Sequence, residues 1–396
     1  MSAIGQIHRE EYELEDRAVP VVVAEAPGRI HFLGEQDEPE SGFFLSAAID
    51  RYIQTAVSVR KDSSFRFYAS DLSERKRSTL VNLKVKREDR WANYFKTAIF
   101  LFTELGYPMK GLNFSFCGNI PQNIGLASSA AIETAAAIAL RRLLRVQISD
   151  MELAQKLADA HLTLFNHPAD LVDYQICLLA RKDQFMLLDS LSGKVKRVKS
   201  PFSRFKILLV DSRVPRLGAE SELASRRADS LKGLEYISNK RQGASIKDIA
   251  SVDLLEALGD LPEQIRRRSI HIVEEKQRVE DSCNALVRSD ISSFSKIIFH
   301  SHESLRDLYE ISCPEIDWLV KRAQEIEGVA GSRMTGLGFG GCTYTIIRRE
   351  LAEEYKKRLE EYERIFGFHP VIHEVKIATG ARVVPERRRV NANTAD

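Results

Sequence analysis

The chain alternates between strand-like and helix-like hydrophobic patterns throughout its first half. Segments rich in β-branched and aromatic residues, with partial alternation of apolar and polar positions, predict strands. Segments with apolar side chains at helical spacing, one of them strongly enriched in alanine and leucine, predict helices. The predicted strands are 19–27, 47–60, 63–70 and 111–120, and the predicted helices are 91–106, 126–144 and 151–165.

The second half mixes the same two patterns. A buried strand at 205–212 precedes a long, mostly helical stretch, and later segments again alternate between helix and strand. Mixed elements in both halves predict an α+β class with two domains, which we place at 1–200 and 201–385, followed by a polar tail at 386–396. The later predictions are helices at 318–328 and 352–367 and strands at 341–349 and 369–378.

Composition and charge exclude several classes of protein. The 396 residues include 58 Lys and Arg against 56 Asp and Glu, so the net charge of +2 offers no field for nucleic acid or an anionic membrane. The most apolar run, 130–144, is interrupted by charges, and the polar N-terminus does not resemble a secretory signal. The five cysteines are scattered and none forms a CxxC pair, which argues against a zinc site and against a disulfide framework. This usage is typical of the reducing cytoplasm.

The segment 118–135 joins a strand to a helix through a glycine-bearing loop. Gly125, Ala127, Ser128 and Ser129 offer small side chains and backbone N–H groups where the helix begins. Such a helix end binds phosphate because unpaired N–H groups and the helix dipole both favour an anion. It is not a Walker A loop, since no Gly-Lys-Ser/Thr follows. The alternative is an ordinary serine N-cap on a core helix.

A second glycine-rich segment, 331–347, formally matches GxGxxG at Gly336, Gly338 and Gly341. A dinucleotide-binding role fails on context, because a strand-like sequence follows where a helix is required. What remains is a loop whose backbone can approach a ligand or another backbone closely, or a tight turn between two elements.

A third segment, 25–50, carries charges beyond a predicted strand. The strand ends near Pro27 and Gly28, so Arg29 lies at its end, and an acidic loop then runs from Glu35 to Glu40. Such a loop can bind sugar hydroxyls or a metal, and without further evidence it is a solvated turn.

In this order the three segments resemble the motifs of the GHMP small-molecule kinases and, within that family, of its galactokinase branch. APGRIHFLGE, PQNIGLASSAA and SRMTGLGFGGC are similar to the first, second and third motifs, and the resemblance spans about residues 20–385. It implies a ribosomal-protein-S5-like N-terminal domain and a ferredoxin-like C-terminal domain. It also implies transfer of the γ-phosphoryl group of ATP, with Mg²⁺, to the anomeric hydroxyl of galactose or a related sugar.

The same resemblance implies roles for individual residues. Asp173 stands at the position of the catalytic aspartate and Arg29 at that of its partner. An adjacent arginine lowers the pKa of an aspartate, so Asp173 would be a weak base and positioning would supply most of the catalysis. The remaining implied residues are Glu35, Gln36, Glu38 and Asp170 for the sugar; Gly125, Leu126, Ala127, Ser128, Ser129 and Ala130 for ATP; Gly336, Gly338 and Gly340 for loop support; and Ser129 and Asp159 for Mg²⁺.

The chain departs from the family pattern mainly where the sugar should bind. The family loop Gly-Glu-His-Thr-Asp-Tyr-Asn reads GEQDEPES here, so Gln36 and Glu38 replace a histidine and an aspartate. Asp170 replaces a glycine close to Asp173. A site that loses hydrogen-bonding partners rejects its former ligand strongly. The Mg²⁺-binding glutamate of the family falls near Ala160 or Thr163, with Asp159 as a stand-in.

Three hypotheses follow for the function. The first is an active sugar 1-kinase acting on galactose or a related sugar, and the second is a kinase with a different sugar or a cyclitol as acceptor. The third is a non-catalytic protein that senses nucleotide or sugar. The pairing of Arg29 with Asp173 favours an enzyme, since a pure binder has no chemical need for it. We expect a small-molecule acceptor as the partner and a monomeric protein.

Overall fold

The computed structural model describes residues 3–16, 18–34, 42–167, 169–189, 192–216, 218–243, 248–256 and 259–385. Within these ranges the strands are β1 (Val22–Leu33), β2 (Phe43–Val59), β3 (Ser64–Ala69), β4 (Glu74–Thr79), β5 (Leu112–Gly118), β6 (Gln184–Asp189), β7 (Lys194–Lys199), β8 (Phe205–Asp211), β9 (Val329–Thr335), β10 (Cys342–Arg348), β11 (Val371–Val375) and β12 (Arg382–Val384). The α-helices are α1 (Ala3–Glu11), α2 (Ala92–Glu104), α3 (Ser128–Leu143), α4 (Asp150–Phe165), α5 (Leu171–Leu179), α6 (Ala219–Lys240), α7 (Ser251–Glu256), α8 (Glu263–Arg288), α9 (Ile291–Ser304), α10 (Pro314–Gln324), α11 (Ala352–Arg358) and α12 (Glu360–Phe366).

An eight-stranded sheet organises the N-terminal half. Six of its strands lie in the order β12-β1-β2-β5-β3-β4. Outside this row, β6 pairs with the long strand β2, and β7 pairs with β6. Pairing is antiparallel between β1 and β2 and parallel between β3 and β5. The long β1–β2 pair carries Arg29, and its register shifts between Pro27 and Arg29.

Helix α3 packs on this sheet and is largely buried. Alanines at 131, 135, 136, 137 and 139 have no exposed surface, so their short side chains let the helix backbone lie close to β1 and β2. This close packing places the loop that leads into α3 directly beside the middle of β1: the Arg29 N–H donates to the Leu126 carbonyl at 3.2 Å. The helix that follows the phosphate-binding candidate is therefore held rigidly against the strand of Arg29.

A four-stranded antiparallel sheet, in the order β11-β8-β10-β9, organises the second half. A separate apolar cluster packs helices α6, α8, α10, α11 and α12 around it. The glycine-rich segment forms the connection between β9 and β10. The prediction that a strand and not a helix follows it, which argues against a dinucleotide site, is therefore confirmed.

The α+β class predicted from the sequence is confirmed. The change from one sheet to the other falls between β7, which ends at Lys199, and β8, which begins at Phe205, and we keep the boundary at 200 as a proposal. Strand β12 returns to pair with β1, a pairing that the sequence pattern does not reveal. The 386–396 tail lies outside the described residues. No helix in the described part of the chain has the length and hydropathy needed to cross a membrane.

Candidate active site

The loop after β5 leads into α3 without a side-chain cap. Ala127, at the N-cap position, adopts a left-handed conformation with φ 57°, and its methyl side chain cannot accept a hydrogen bond from the first turn. The backbone N–H groups at Ser128 and Ser129 are thus available to an anion, as at other phosphate-binding helix ends. The six consecutive residues predicted to bind ATP, 125–130, make up this segment.

The two glycine-rich loops touch each other. A Cβ atom added to Gly125 would lie 2.8 Å from the Cα of Gly336, so the two backbones approach more closely than side chains would allow. Gly338 and Gly340 have equally tight surroundings, against the Ile311 carbonyl and Val214 respectively. A loop-supporting role requires such close contacts, and that role stays a prediction for Gly336, Gly338 and Gly340.

Replacing Gly125 by alanine is expected to weaken ATP binding about 10-fold, which corresponds to about 1.4 kcal/mol. Its φ of +84° costs a residue with a Cβ roughly 1–2 kcal/mol, and the added atom would also push on Gly336. Calorimetric titration with ATP measures the effect. Gly367→Ala is the control, since Gly367 has φ +76° but a Cβ added there would meet no other described part of the chain within 4 Å. Equal ATP affinity in both variants would contradict the role of the close approach.

Arg29 and Asp173 form a pair that reaches the 119–127 loop before α3, the candidate phosphate loop. The Arg29 Nε lies 2.5 Å from Asp173 Oδ1, and its Nη2 donates to Oδ2 at 3.2 Å. Its Nη1 donates to the carbonyl of Gly125. Asp173 stands in the first turn of α5, which Asp170 caps by accepting a hydrogen bond from the Val172 N–H at 2.9 Å. The structure thus brings the two residues predicted to act in catalysis into direct contact.

His31 adds a third group to this pair. Its Nε2 lies 3.3 Å from Asp173 Oδ1 and 4.0 Å from Asp170 Oδ2, and its Nδ1 is 2.6 Å from the Ser46 hydroxyl oxygen. Burial would raise the pKa of the Asp173 carboxyl, but the charges of Arg29 and His31 outweigh it and lower the pKa to about 2. Sequence reasoning missed His31. The signal was its position two residues after Arg29, which places both side chains on one face of β1.

An aromatic cavity of about 390 Å³ adjoins the phosphate loop. Tyr94 and Phe165 stack on each other with ring centroids 5.5 Å apart and planes 17° apart. A cavity with aromatic rings among polar side chains in its walls suits a flat heterocycle that carries hydrogen-bonding groups, and its position suits one that continues into a phosphate chain. Its lining includes Trp91, Tyr94, Phe116, Asn123, Ser128 and Phe165.

The predicted sugar-binding residues divide into two groups. Asp170 lies beside His31, with 22% of its side chain exposed. Glu35, Gln36 and Glu38 lie outside the described residues. Gly34, immediately before them, donates its N–H to the Glu275 carboxylate at 3.2 Å, so a helix of the C-terminal half holds the end of β1.

The two predicted Mg²⁺ ligands differ in their surroundings. Ser129 is half-buried in the first turn of α3, where its hydroxyl can contribute to a phosphate-bound cation. Asp159 is exposed, and its carboxylate accepts a hydrogen bond from Gln155 one turn earlier in α4. The local structure therefore supports the hydroxyl ligand more directly than the carboxylate.

Three family models match the chain. They are the N-terminal domain of GHMP kinases at 93–179, the C-terminal domain of GHMP kinases at 284–364 and the galactokinase galactose-binding signature at 6–59. The first covers α3 and Asp173, and the third covers Arg29 and His31.

Individual proteins match over nearly the whole length. A Treponema pallidum protein with a provisional galactokinase name is 38% identical over 97% of this chain and 97% of its own. Galactokinase of Thermotoga maritima is 31% identical over 91% of this chain and 99% of its own. The crystal structure of Lactococcus lactis galactokinase complexed with galactose superposes with a TM-score of 0.88 at 25% identity, covering 97% of this chain and all of that one.

Proposed function

Because the chain belongs to the galactokinase branch of the GHMP kinases and is a sugar kinase, we propose that it transfers the γ-phosphoryl group of ATP to the anomeric hydroxyl of galactose. The observation that carries this proposal is the Arg29–Asp173 pair, in which one guanidinium bridges the Asp173 carboxylate and the Gly125 carbonyl of the phosphate loop. A proton acceptor and a phosphate-binding helix end are thereby held in one place.

In the proposed reaction, Asp173 takes the proton as the sugar oxygen forms its bond to phosphorus and the bond to the ADP oxygen breaks. The low pKa of Asp173 makes it a weak base. Its contribution is therefore to place a carboxylate oxygen at the acceptor hydroxyl rather than to remove the proton beforehand. Arg29 stabilises the ionised carboxylate and adds positive charge beside the transferring group.

The nucleotide would lie between the aromatic cavity and the start of α3. The cavity beside Tyr94 and Phe165 would hold the base, and the N–H groups at Ser128 and Ser129 would bind phosphate. Mg²⁺ bound to ATP would supply charge neutralisation, with Ser129 as the supported ligand and Asp159 as a weaker candidate. Both substrates of this reaction, ATP and a free sugar, would be met in the cytoplasm.

Galactose as the acceptor is supported by the match to the galactose-binding signature and by the galactose complex of the L. lactis enzyme. A second acceptor class, another neutral sugar or a cyclitol, rests on one feature: Asp170 stands where the family pattern has a glycine. Asp170 places a partly exposed carboxylate 4.0 Å from His31, next to the proposed base. A carboxylate there suits a hydroxyl-rich neutral molecule and repels an anionic one.

The test is ADP release from Mg·ATP by the purified protein. We expect release to depend on galactose and to remain at background without a sugar. Stimulation by a different sugar or by a cyclitol, with galactose inactive, would replace the acceptor and keep the kinase. Background release with every compound, in a protein that still binds ATP, would contradict the proposed transfer.

A further inference from the structure

Glu133 is a wholly buried carboxylate that the proposed reaction does not use. It lies on α3, one helical turn after Ser129. Its Oε1 accepts a hydrogen bond from the Thr97 hydroxyl at 3.1 Å and lies 2.8 Å from His161 Nδ1. Its Oε2 accepts a hydrogen bond from the Tyr174 hydroxyl. The three partners belong to three other helices, α2, α4 and α5.

Burying this carboxylate is expensive, so its partners must compensate. Glu133 is 0% exposed, Tyr174 1% and His161 5%. A carboxylate removed from water costs several kcal/mol unless donors replace its hydration. Burial and the negative charge of Glu133 both raise the pKa of the Tyr174 phenol, which therefore remains protonated and keeps donating. The contact between α3 and α5 is thus a maintained hydrogen bond to a carboxylate, the stronger kind.

The position of this contact matters for the reaction. Tyr174 directly follows Asp173 in the first turn of α5, and Glu133 directly follows the phosphate-binding turn of α3. The contact therefore fixes the proposed base relative to the proposed phosphate site. A displacement of about 1 Å between reacting groups can cost roughly 10²-fold in rate.

We propose that Glu133 is a positioning residue for phosphoryl transfer, acting through Tyr174 to hold Asp173 at its distance from the phosphate loop. This inference rests on the proposed function of Asp173. The rest of α5 has separate anchors, since the Cys177 thiol donates to the Pro27 carbonyl at 3.2 Å and Ala381 N–H donates to the Cys177 carbonyl. Loss of the Tyr174 hydroxyl should therefore shift the first turn without unfolding the helix.

Tyr174→Phe tests the proposal because it removes the hydroxyl and keeps the ring. We expect kcat to fall about 10-fold, corresponding to a shift of a fraction of an ångström, while the dissociation constant for ATP stays within about twofold. Stopped-time ADP release and calorimetric ATP titration give the two values. A purely structural role would lower thermal stability without this division between kcat and ATP binding.

Tyr355→Phe is the matched control. Tyr355 is also fully buried, and its hydroxyl donates to the Leu319 carbonyl at 3.2 Å in the C-terminal half. We expect it to lower thermal stability and to leave kcat unchanged. Glu133→Gln is the second variant, since an amide oxygen can still accept from Tyr174, and we expect it to retain more activity than Tyr174→Phe.

The outcomes separate the inference from the proposed function. Active wild-type protein with an unchanged kcat in folded Tyr174→Phe would overturn the inference and leave the kinase assignment intact. An equal loss of kcat in Tyr355→Phe would overturn it as well, because the effect would then follow stability alone. Wild-type protein that transfers phosphate to no sugar would overturn the proposed function and, with it, this inference.

Discussion

Replacing Asp173 by asparagine is expected to lower kcat for sugar phosphorylation by about 10²–10⁴-fold, the usual contribution of a positioned general base. The amide has nearly the same shape and still accepts a hydrogen bond from Arg29, but it cannot take the proton of the acceptor hydroxyl. ATP affinity should change little, because the cavity at Tyr94 and the N–H groups of α3 are untouched. ADP release and ATP titration measure the two quantities separately.

Asp62→Asn is the matched control for this prediction. Asp62 also forms a two-pronged pair with an arginine: Arg60 Nε donates to Oδ1 at 2.8 Å and Nη2 to Oδ2 at 2.6 Å. That pair lies at the surface next to β3, so its loss should cost at most about 1 kcal/mol of stability and leave kcat unchanged. Normal turnover by folded Asp173→Asn would show that another group accepts the proton.

The sequence predicts the parts of the site that depend on local backbone chemistry. A strand, a glycine-bearing loop and a helix beginning with two serines indicate a phosphate site from the order of residues alone, and the protein has that arrangement at 118–130. Arg29 is predicted at the end of a strand that stops near Pro27, and this placement is wrong: a register shift accommodates Pro27 and Gly28, and β1 continues to Leu33 with Arg29 inside it. Asp173 is different, because no periodicity marks it, and its role follows from resemblance to a family motif.

The features of the site that the sequence does not predict depend on residues that are far apart in the chain. In the sequence, Glu133 and His161 cannot be told apart from polar residues on the solvated face of a helix. Only the packing of α3 against α4 brings the Glu133 Oε1 and His161 Nδ1 atoms to 2.8 Å. Gly125 and Gly336 are each recognisable as loop glycines, yet their contact requires both halves of the protein to be in place. Asp159 stays a prediction: the sequence proposes it by its place before Asp173, and the structure places it on the exposed side of α4.

Glu275 provides the strongest case of such long-range pairing, and Glu275→Gln is expected to destabilise the protein by about 3–5 kcal/mol, the usual cost of breaking a buried ion pair. Glu275 and Arg333 are each 1% exposed, and the Arg333 Nη2 lies 3.2 Å from Glu275 Oε1. Arg278 Nη1 lies 2.9 Å from Oε2, and the Ser301 hydroxyl lies 2.8 Å from both oxygens. Without the negative charge, two guanidinium groups remain close together with one carboxylate fewer.

Glu274→Gln is the control for this prediction. Glu274 precedes Glu275 and pairs with the same Arg278 at 2.6 Å, but 38% of its side chain is exposed. A pair of this kind contributes about 0–1 kcal/mol. Denaturant unfolding at neutral pH should therefore separate the two variants by several kcal/mol, and similar values for both would contradict a dominant role for the buried pair.

The pH dependence gives an independent check on the same carboxylate. Burial would raise the pKa of Glu275, but the charges of Arg333 and Arg278 outweigh it and lower the pKa from 4.5 to about 2. A carboxyl whose pKa is lower in the folded state stabilises the protein above its unfolded pKa, and this stabilisation is lost as the pH falls towards the folded value. The stability difference between wild type and Glu275→Gln should thus be full at pH 6–7 and shrink between about pH 5 and pH 2.

Glu275 also accepts a hydrogen bond from the Gly34 N–H, and Gly34 leads into the predicted acceptor loop. We therefore expect Glu275→Gln to raise the KM for the sugar more than the KM for ATP.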